Sequence, residues 1–209
     1  VVVAGGSGRR FGGPKQFLQL AGRPVAAWSV TAARSIADGV VLVVPGEGPQ
    51  APPTGADRVV TGGATRAESV RAGLAVVPDD AAIIVIHDAA RPLATGALFA
   101  AVVDVVRAGE ADGAIPVVPV TDTLKRVDDG TVCATVDRDG LVAVQTPQAF
   151  VAAILKRAHR SADEATDDAA LVERVGATVR TVMGEPHNVK LTRTEDLEVA
   201  EALLNVLNR

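Results

Sequence analysis

Gly5, Gly6, Gly8, Gly12 and Gly13 crowd one short stretch of the chain, with Arg9, Arg10 and Lys15 among them. Glycines that follow an apolar strand let backbone N–H groups turn toward a ligand without Cβ obstruction. The bases add positive charge at the same place, a combination that suits a triphosphate. The loop is not a dinucleotide fingerprint, because Phe11 stands where the third glycine of GxGxxG would be, and no GK[ST] follows to make a P-loop. Arg10 and Lys15 have the clearest role, since fixed cations stabilise the charge that develops on a phosphoryl group in transfer. Arg9 reads more as a solvated neighbour, but sequence alone does not separate it from Arg10. A surface loop with solvated bases would show the same pattern, and the spacing alone leaves both readings open.

A second chemical signal is Asp88, which closes the apolar run Ile83-Ile84-Val85-Ile86-His87. In an open α/β sheet the carboxyl ends of the strands face the ligand crevice. An Asp there can hold Mg²⁺, or another divalent cation, against nucleotide phosphates. Arg91 follows within Ala89-Ala90-Arg91-Pro92. A purely structural alternative has Asp88 capping the next turn and pairing with Arg91. His87 reads as a packed, hydrogen-bonded side chain. His87, His159 and His187 are isolated in sequence and show no zinc spacing. No GxSxG elbow occurs, and Cys133 has no obvious base. Covalent catalysis is not expected, which fits an attacking group that is already an anion, such as a phosphate monoester.

Composition narrows the class. The chain has 209 residues, 48% hydrophobic and 22% charged, enough for one full α/β domain. It has no Tyr, one Trp and four Phe, so the core must be aliphatic and a base-stacking surface is not expected. The net charge of −4 also argues against nucleic acid as a partner. The single Cys excludes an intrachain disulfide. No run approaches the length of a membrane span and no signal peptide is visible, so a cytoplasmic location without membrane contact is expected.

The elements that must position these residues alternate. Strands are expected at 1–3, 40–44, 59–60, 83–87, 114–118 and 178–182. Helices are expected at 25–37, after the Thr65/Glu68 capping-box pair, and at 96–108, 148–160, 167–175 and 195–207. The repetition predicts a Rossmann-like, mostly parallel sheet with helices on both faces. Residues 120–145 break the rhythm, with Asp128-Asp129-Gly130 and Asp139-Gly140 as turn sequences. They read as a projecting β-ribbon arm within a single domain spanning 1–209. An arm of this kind is a candidate dimerisation element.

The chain closely resembles the 2-C-methyl-D-erythritol 4-phosphate cytidylyltransferases of the non-mevalonate isoprenoid pathway. The resemblance spans essentially the whole chain. It is carried by Ala4-Gly5-Gly6-Ser7-Gly8-Arg9-Arg10, Pro14-Lys15-Gln16, Gly62-Gly63 with Arg66 and Ser69, and His87-Asp88-Ala89-Ala90-Arg91-Pro92. It continues through Asp122-Thr123 with Lys125, Asp137-Arg138, Gln145-Thr146-Pro147-Gln148, Thr166-Asp167-Asp168 and Asn188-Val189-Lys190. The resemblance implies a nucleotidyltransferase that joins CTP to methylerythritol 4-phosphate and releases pyrophosphate, with the substrate phosphate attacking the α-phosphorus directly. It implies catalytic roles for Arg10, Lys15 and Lys190, and Mg²⁺ at Asp88. It implies nucleotide contacts from Ala4, Gly5, Gly6, Gly63, Ser69, Asp88 and Ala89. Arg91, Thr123, Arg138, Thr146 and Thr166 would contact the small polyol phosphate. Thr123 and Arg138 fall in the ribbon, so the resemblance also implies a homodimer that completes the site across its interface.

Two departures stand out. Family members usually carry Pro where this chain has Val3, and many carry a polar residue where it has Ala64. Losing one hydrogen bond at Ala64 would weaken nucleotide affinity by on the order of 1 kcal/mol. The nearest rival is a ribitol 5-phosphate cytidylyltransferase, which resembles the chain in the glycine loop and Pro-Lys-Gln segment. The Ala89-Ala90 pair favours the methylerythritol acceptor, since the ribitol enzymes tend to place valine second.

Overall fold

The run ending at Asp88 becomes an interior strand covered on both faces. The computed structural model describes residues 1–5, 17–46, 55–160 and 165–207. In chain order its elements are β1 (Val2–Val3), β2 (Gln19–Leu20), β3 (Arg23–Pro24), α1 (Val25–Arg34), β4 (Val41–Val44), β5 (Arg58–Thr61) and α2 (Arg66–Leu74). Next come β6 (Ile83–Asp88), α3 (Gly96–Arg107), β7 (Gly113–Pro119), β8 (Leu124–Asp128), β9 (Thr131–Val136) and β10 (Val142–Val144). The last are β11 (Gln148–Val151), α4 (Ala152–Ala158), α5 (Asp168–Arg174), β12 (Val179–Met183) and α6 (Asp196–Leu207).

An eight-stranded sheet runs β10-β7-β11-β6-β1-β4-β5, with β12 along β7. β1 pairs parallel with β4 and β6, β4 with β5, and β12 with β7. β11 inserts antiparallel between β6 and β7, and β10 runs antiparallel to β7. The sheet is therefore mixed: parallel around β1 and antiparallel at β10 and β11.

Alternation along β6 explains its continuous apolar sequence. Ile84 and Ile86 pack with Val70 and Leu74 of α2, Leu155 of α4, and Leu171 and Val172 of α5. Ile83 and Val85 pack on the other face, with Val102, Val103 and Val106 of α3. Successive side chains of a strand point to opposite faces, so a strand buried on both must be apolar throughout. α1 joins α3 on that second face, placing Ala26 and Val30 against Val2 and Leu42.

One expected helix is corrected. The helix predicted over 148–160 starts only at Ala152, because Gln148–Val151 is strand β11. Phe150 packs into the core on one face and Ala149 on the other, which requires an extended chain between β6 and β7. The ribbon is also narrower than 120–145. β8 and β9 form a separate two-stranded sheet, while β10 returns to the main one. The ribbon turns at Asp129 (φ 41°) and Gly130 (φ 75°), the pair of left-handed residues that a type I′ hairpin needs.

Candidate active site

Four separate stretches meet at the carboxyl end of β6. Asp88 lies beside Val3 of β1 and is only 8% exposed. Its Oδ1 accepts from Arg66 Nε at 3.0 Å, and its Oδ2 from Lys190 Nζ at 2.7 Å. The other arm of Arg66, Nη2, donates to Asp168 Oδ2 at 2.8 Å. Asp168 Oδ1 in turn accepts from His159 Nε2 at 2.9 Å. Burial pushes the Asp88 carboxyl up, but the charges of Arg66 and Lys190 outweigh it and hold the group well below the usual carboxylate range. Burial likewise pulls the Arg66 guanidinium down, and its two carboxylates more than reverse this. Arg66 is thus pinned at both ends by buried anions. Lys190 is 42% exposed in its side chain and is held by Asp88 alone among the described residues.

The first turn of α2 explains why Arg66 is there. Thr65 caps the helix, its side chain accepting from Glu68 N while Glu68 reaches back to Thr65 N at 3.0 Å. Arg66 then occupies the first helical position, where a cation opposes the helix dipole. Two carboxylates offset that conflict. Gly63 stands before the box because a Cβ there would fall 2.3 Å from Glu68 Cβ. Gly5 and Gly62 both press on the buried hydroxyl of Ser69, which donates to Thr65 O at 3.0 Å. Ala4 N donates to Val43 O and Ala89 N to Val3 O, so those two amides belong to the sheet. Neither N–H is available to read a nucleotide, and both side chains pack in the core, which narrows the roles expected of Ala4 and Ala89 to their carbonyls. Ala64 is exposed beside Gly63.

His87 and Thr146 form a buried chain beneath Asp88. Thr146 Oγ1 accepts from Asp88 N at 3.1 Å and lies 3.0 Å from His87 Nδ1, while His87 Nε2 lies 3.2 Å from Arg91 O. A carbonyl can only accept, so the Arg91 contact places the proton on Nε2 and makes Nδ1 the acceptor of the Thr146 hydroxyl. Thr146 spends its proton on this chain, although the sequence reading gave it to the substrate. Burial pushes the His87 pKa down to about 4. Below an unfolded pKa of about 6.5 the unfolded chain binds a proton that the folded chain refuses, so this stabilising contribution is complete above that value and lost as pH falls toward about 4. Urea unfolding should show a loss on the order of 2–3 kcal/mol between pH 7 and pH 4.5, largely absent in His87→Gln. Parallel pH profiles for the two proteins would remove His87 as the cause.

The segment that carries Lys190 is clamped. Asn188 Nδ2 donates to Thr146 O at 2.9 Å and to Gln145 Oε1 at 3.2 Å, and Leu191 N donates to Ala90 O at 2.8 Å. Arg91 reaches over the same segment, Nη1 to Asn188 O at 2.7 Å and Nη2 to Val144 O at 3.3 Å. The structure so brings together Ala4, Gly5, Gly63, Ser69, Asp88, Ala89, Arg91, Thr146 and Lys190. Thr166 is exposed just before Asp167, the N-cap of α5. Thr123 and Arg138 sit exposed at the base of the ribbon, where Arg138 Nη1 donates to Thr121 O. Among the described residues no hydrogen bond or ion pair joins Thr123 or Arg138 to Asp88. Gly6, Arg10 and Lys15 lie outside the described residues.

A sequence model of 2-C-methyl-D-erythritol 4-phosphate cytidylyltransferase (IspD) matches residues 1–206. The chain belongs to the 2-C-methyl-D-erythritol 4-phosphate cytidylyltransferase family. A cytidylyltransferase of that name from Rhodococcus jostii is 46% identical over 213 residues, covering 98% of this chain and 93% of the relative. One from Nocardia farcinica is 44% identical over 215 residues with the same coverage. The crystal structure of the Thermus thermophilus 2-C-methyl-D-erythritol 4-phosphate cytidylyltransferase superposes with a TM-score of 0.84 at 35% identity, covering 98% of this chain and 97% of that one.

In this cytidylyltransferase-family chain, sequence reasoning gave no role to Arg66, Asp168 or His159. For Arg66 a signal existed: a base in the first turn of a capped helix needs a carboxylate nearby. Asp168 and His159 carried no local signal, because each is explained only by the other and by Arg66.

Proposed function

We propose that the chain transfers the cytidylyl group of CTP to 2-C-methyl-D-erythritol 4-phosphate. The acceptor phosphate oxygen attacks the α-phosphorus in line, the new P–O bond forms as the bond to the β-phosphate bridging oxygen breaks, and pyrophosphate leaves. The observation that carries this reading, beside family membership, is the ionised Asp88 at the sheet's carboxyl edge, with Lys190 Nζ 2.7 Å from it.

Among the described residues no cluster of three or more His, Cys, Asp or Glu could hold a metal. Asp88 alone fits Mg²⁺, which binds enzymes through one or two carboxylates and takes its remaining ligands from water and substrate phosphates. Mg²⁺ or another divalent cation there would neutralise phosphate charge. Lys190 then faces a choice between Asp88 and the phosphates. It is the exposed member of the ion-pair set, so it can turn to the developing charge while Arg66 stays fixed. Arg10 and Lys15 would add cations from the glycine loop, and Gly6 would add backbone contact there. Ala4, Gly5, Gly63, Ser69 and Ala89 would surround the cytidine, and Arg91 and Thr166 the acceptor, with Thr146 holding the Asp88 backbone from beneath.

The reading includes a homodimer. Val127 and Val132 face each other across the ribbon and are 55% and 58% exposed, an apolar pair that a second copy would cover. Thr123 and Arg138 would then serve the partner's acceptor site. None of the described helices is long and apolar enough to cross a membrane. We place the protein in the cytoplasm, with no nucleic acid or membrane partner.

Pyrophosphate release with CTP and Mg²⁺ tests the assignment directly. Methylerythritol 4-phosphate should support release about a hundredfold faster, in kcat/KM, than ribitol 5-phosphate, a ratio that pocket shape can supply. The reverse preference would move the protein to the ribitol acceptor. Silence with both acceptors in folded protein would end the cytidylyltransferase reading.

A further inference from the structure

The C-terminal half of α2 and the exposed side of α4 border a cavity of about 320 Å³, lined by Arg71, Leu74, Val77, Asp79, Lys156 and His159 among others. It lies away from the catalytic edge. Of the chain Asp88–Arg66–Asp168–His159, only His159, at its far end, borders the cavity.

Among the described residues two of its polar groups lack partners. Arg71 Nη1 is shielded from solvent and meets no acceptor among the described residues. His159 is 4% exposed, its Nε2 is committed to Asp168, and its Nδ1 is shielded and unpartnered. Buried polar groups are almost always satisfied, so two orphans carried by residues that line one pocket point to a ligand that meets both once those side chains turn toward it. The third nitrogen, Lys156 Nζ, is paired among the described residues with Asp79, whose side chain is fully exposed and readily displaced.

We propose that this cavity is a second binding site, for a phosphoryl group. The guanidinium of Arg71 and the ammonium of Lys156, both lining the pocket, match the charge and tetrahedral oxygens of phosphate. With Nε2–H held by Asp168, His159 Nδ1 accepts the O–H of a monoprotonated phosphate. Leu74 and Val77 give an apolar wall for a short carbon chain, and the volume stands at the lower end of small-molecule sites. Orthophosphate and a small phosphate monoester share this chemistry.

The ring C–H signals of the three histidines report on the site by NMR, with His159 assigned from a His159→Gln sample. Orthophosphate and glycerol 3-phosphate are titrated into the full chain, with sodium chloride at matched ionic strength. The His159 signal should shift and saturate with the phosphates and not with chloride. The tighter of the two ligands then identifies free phosphate or an ester as the source. In Arg71→Gln the midpoint should weaken at least about tenfold, as loss of a charge-assisted contact requires, with basal turnover unchanged. Lys156→Gln should weaken it in the same direction and stands in if Arg71→Gln does not fold. A chloride response equal to phosphate, an unsaturable shift, or an Arg71→Gln titration matching wild type would overturn the site. That last result would mean that phosphate acts at the catalytic edge and is felt through Asp168.

Discussion

Arg66→Met should lower the melting temperature by on the order of 10 °C, the loss expected for about 3–5 kcal/mol in a chain of this size. The substitution is nearly volume-conserving and sits on a helix, so the cost is electrostatic. Among the described residues Arg66 is the one cation that touches both Asp88 and Asp168, whose side chains are 11% and 1% exposed. Without it, among the described residues, Asp88 keeps Lys190 and Asp168 keeps His159. Breaking a buried pair by deleting one partner strands the other charge, which costs far more than an exposed pair ever contributes. The double variant Arg66→Met/Asp168→Asn should recover part of the loss, because the stranded charge is gone. Thermal and urea unfolding of both variants measure this. A shift within about 2 °C of wild type for Arg66→Met would show that the ion-pair chain does not stabilise the fold.

The same chain shows where sequence could and could not be read. Elements set by local pattern were legible. The capping box at Thr65 and Glu68 is present residue for residue, and the uninterrupted apolar run of β6 announced a strand buried on both faces. Gln148–Val151 was not legible, because a short apolar stretch carries no decisive period and only its neighbours β6 and β7 make it a strand. In the site, Asp88 was visible from its place at a strand end. Its partner Lys190 is 102 positions away, and only the family resemblance brought the two together before the fold did. Arg66, 22 positions from Asp88 and 102 from Asp168, had a visible anomaly but no visible partner. His159 looked isolated because its partner is on another helix, and a contact between α4 and α5 leaves no trace in spacing. Thr146 was assigned outward for the opposite reason. A hydroxyl in a loop-like motif looks available until burial and His87 claim it.

Two inactive variants should restore each other when mixed. Asp88→Asn removes the carboxylate that would hold the divalent cation, and Arg138→Ala removes a guanidinium from the ribbon base. Each should lower kcat/KM by on the order of a thousandfold, the scale of losing a preorganised charge at a phosphoryl group. Within one chain the two residues are not joined, since Arg138 is spent on Thr121 O at the ribbon base while Asp88 is enclosed by Arg66 and Lys190. If the arm of one protomer enters the site of the other, a mixed dimer contains one site with both defects and one with neither. Random mixing of symmetric dimers then returns about a quarter of wild-type activity from two nearly dead parents. Co-expression with different affinity tags and tandem purification isolates the mixed dimer, where the recovery should rise to about half. If instead each chain builds its site alone, every site in the mixture keeps one defect and no activity returns. A tandem-purified mixed dimer as inactive as its parents would therefore reject the shared site and leave the ribbon, at most, a fastening between protomers.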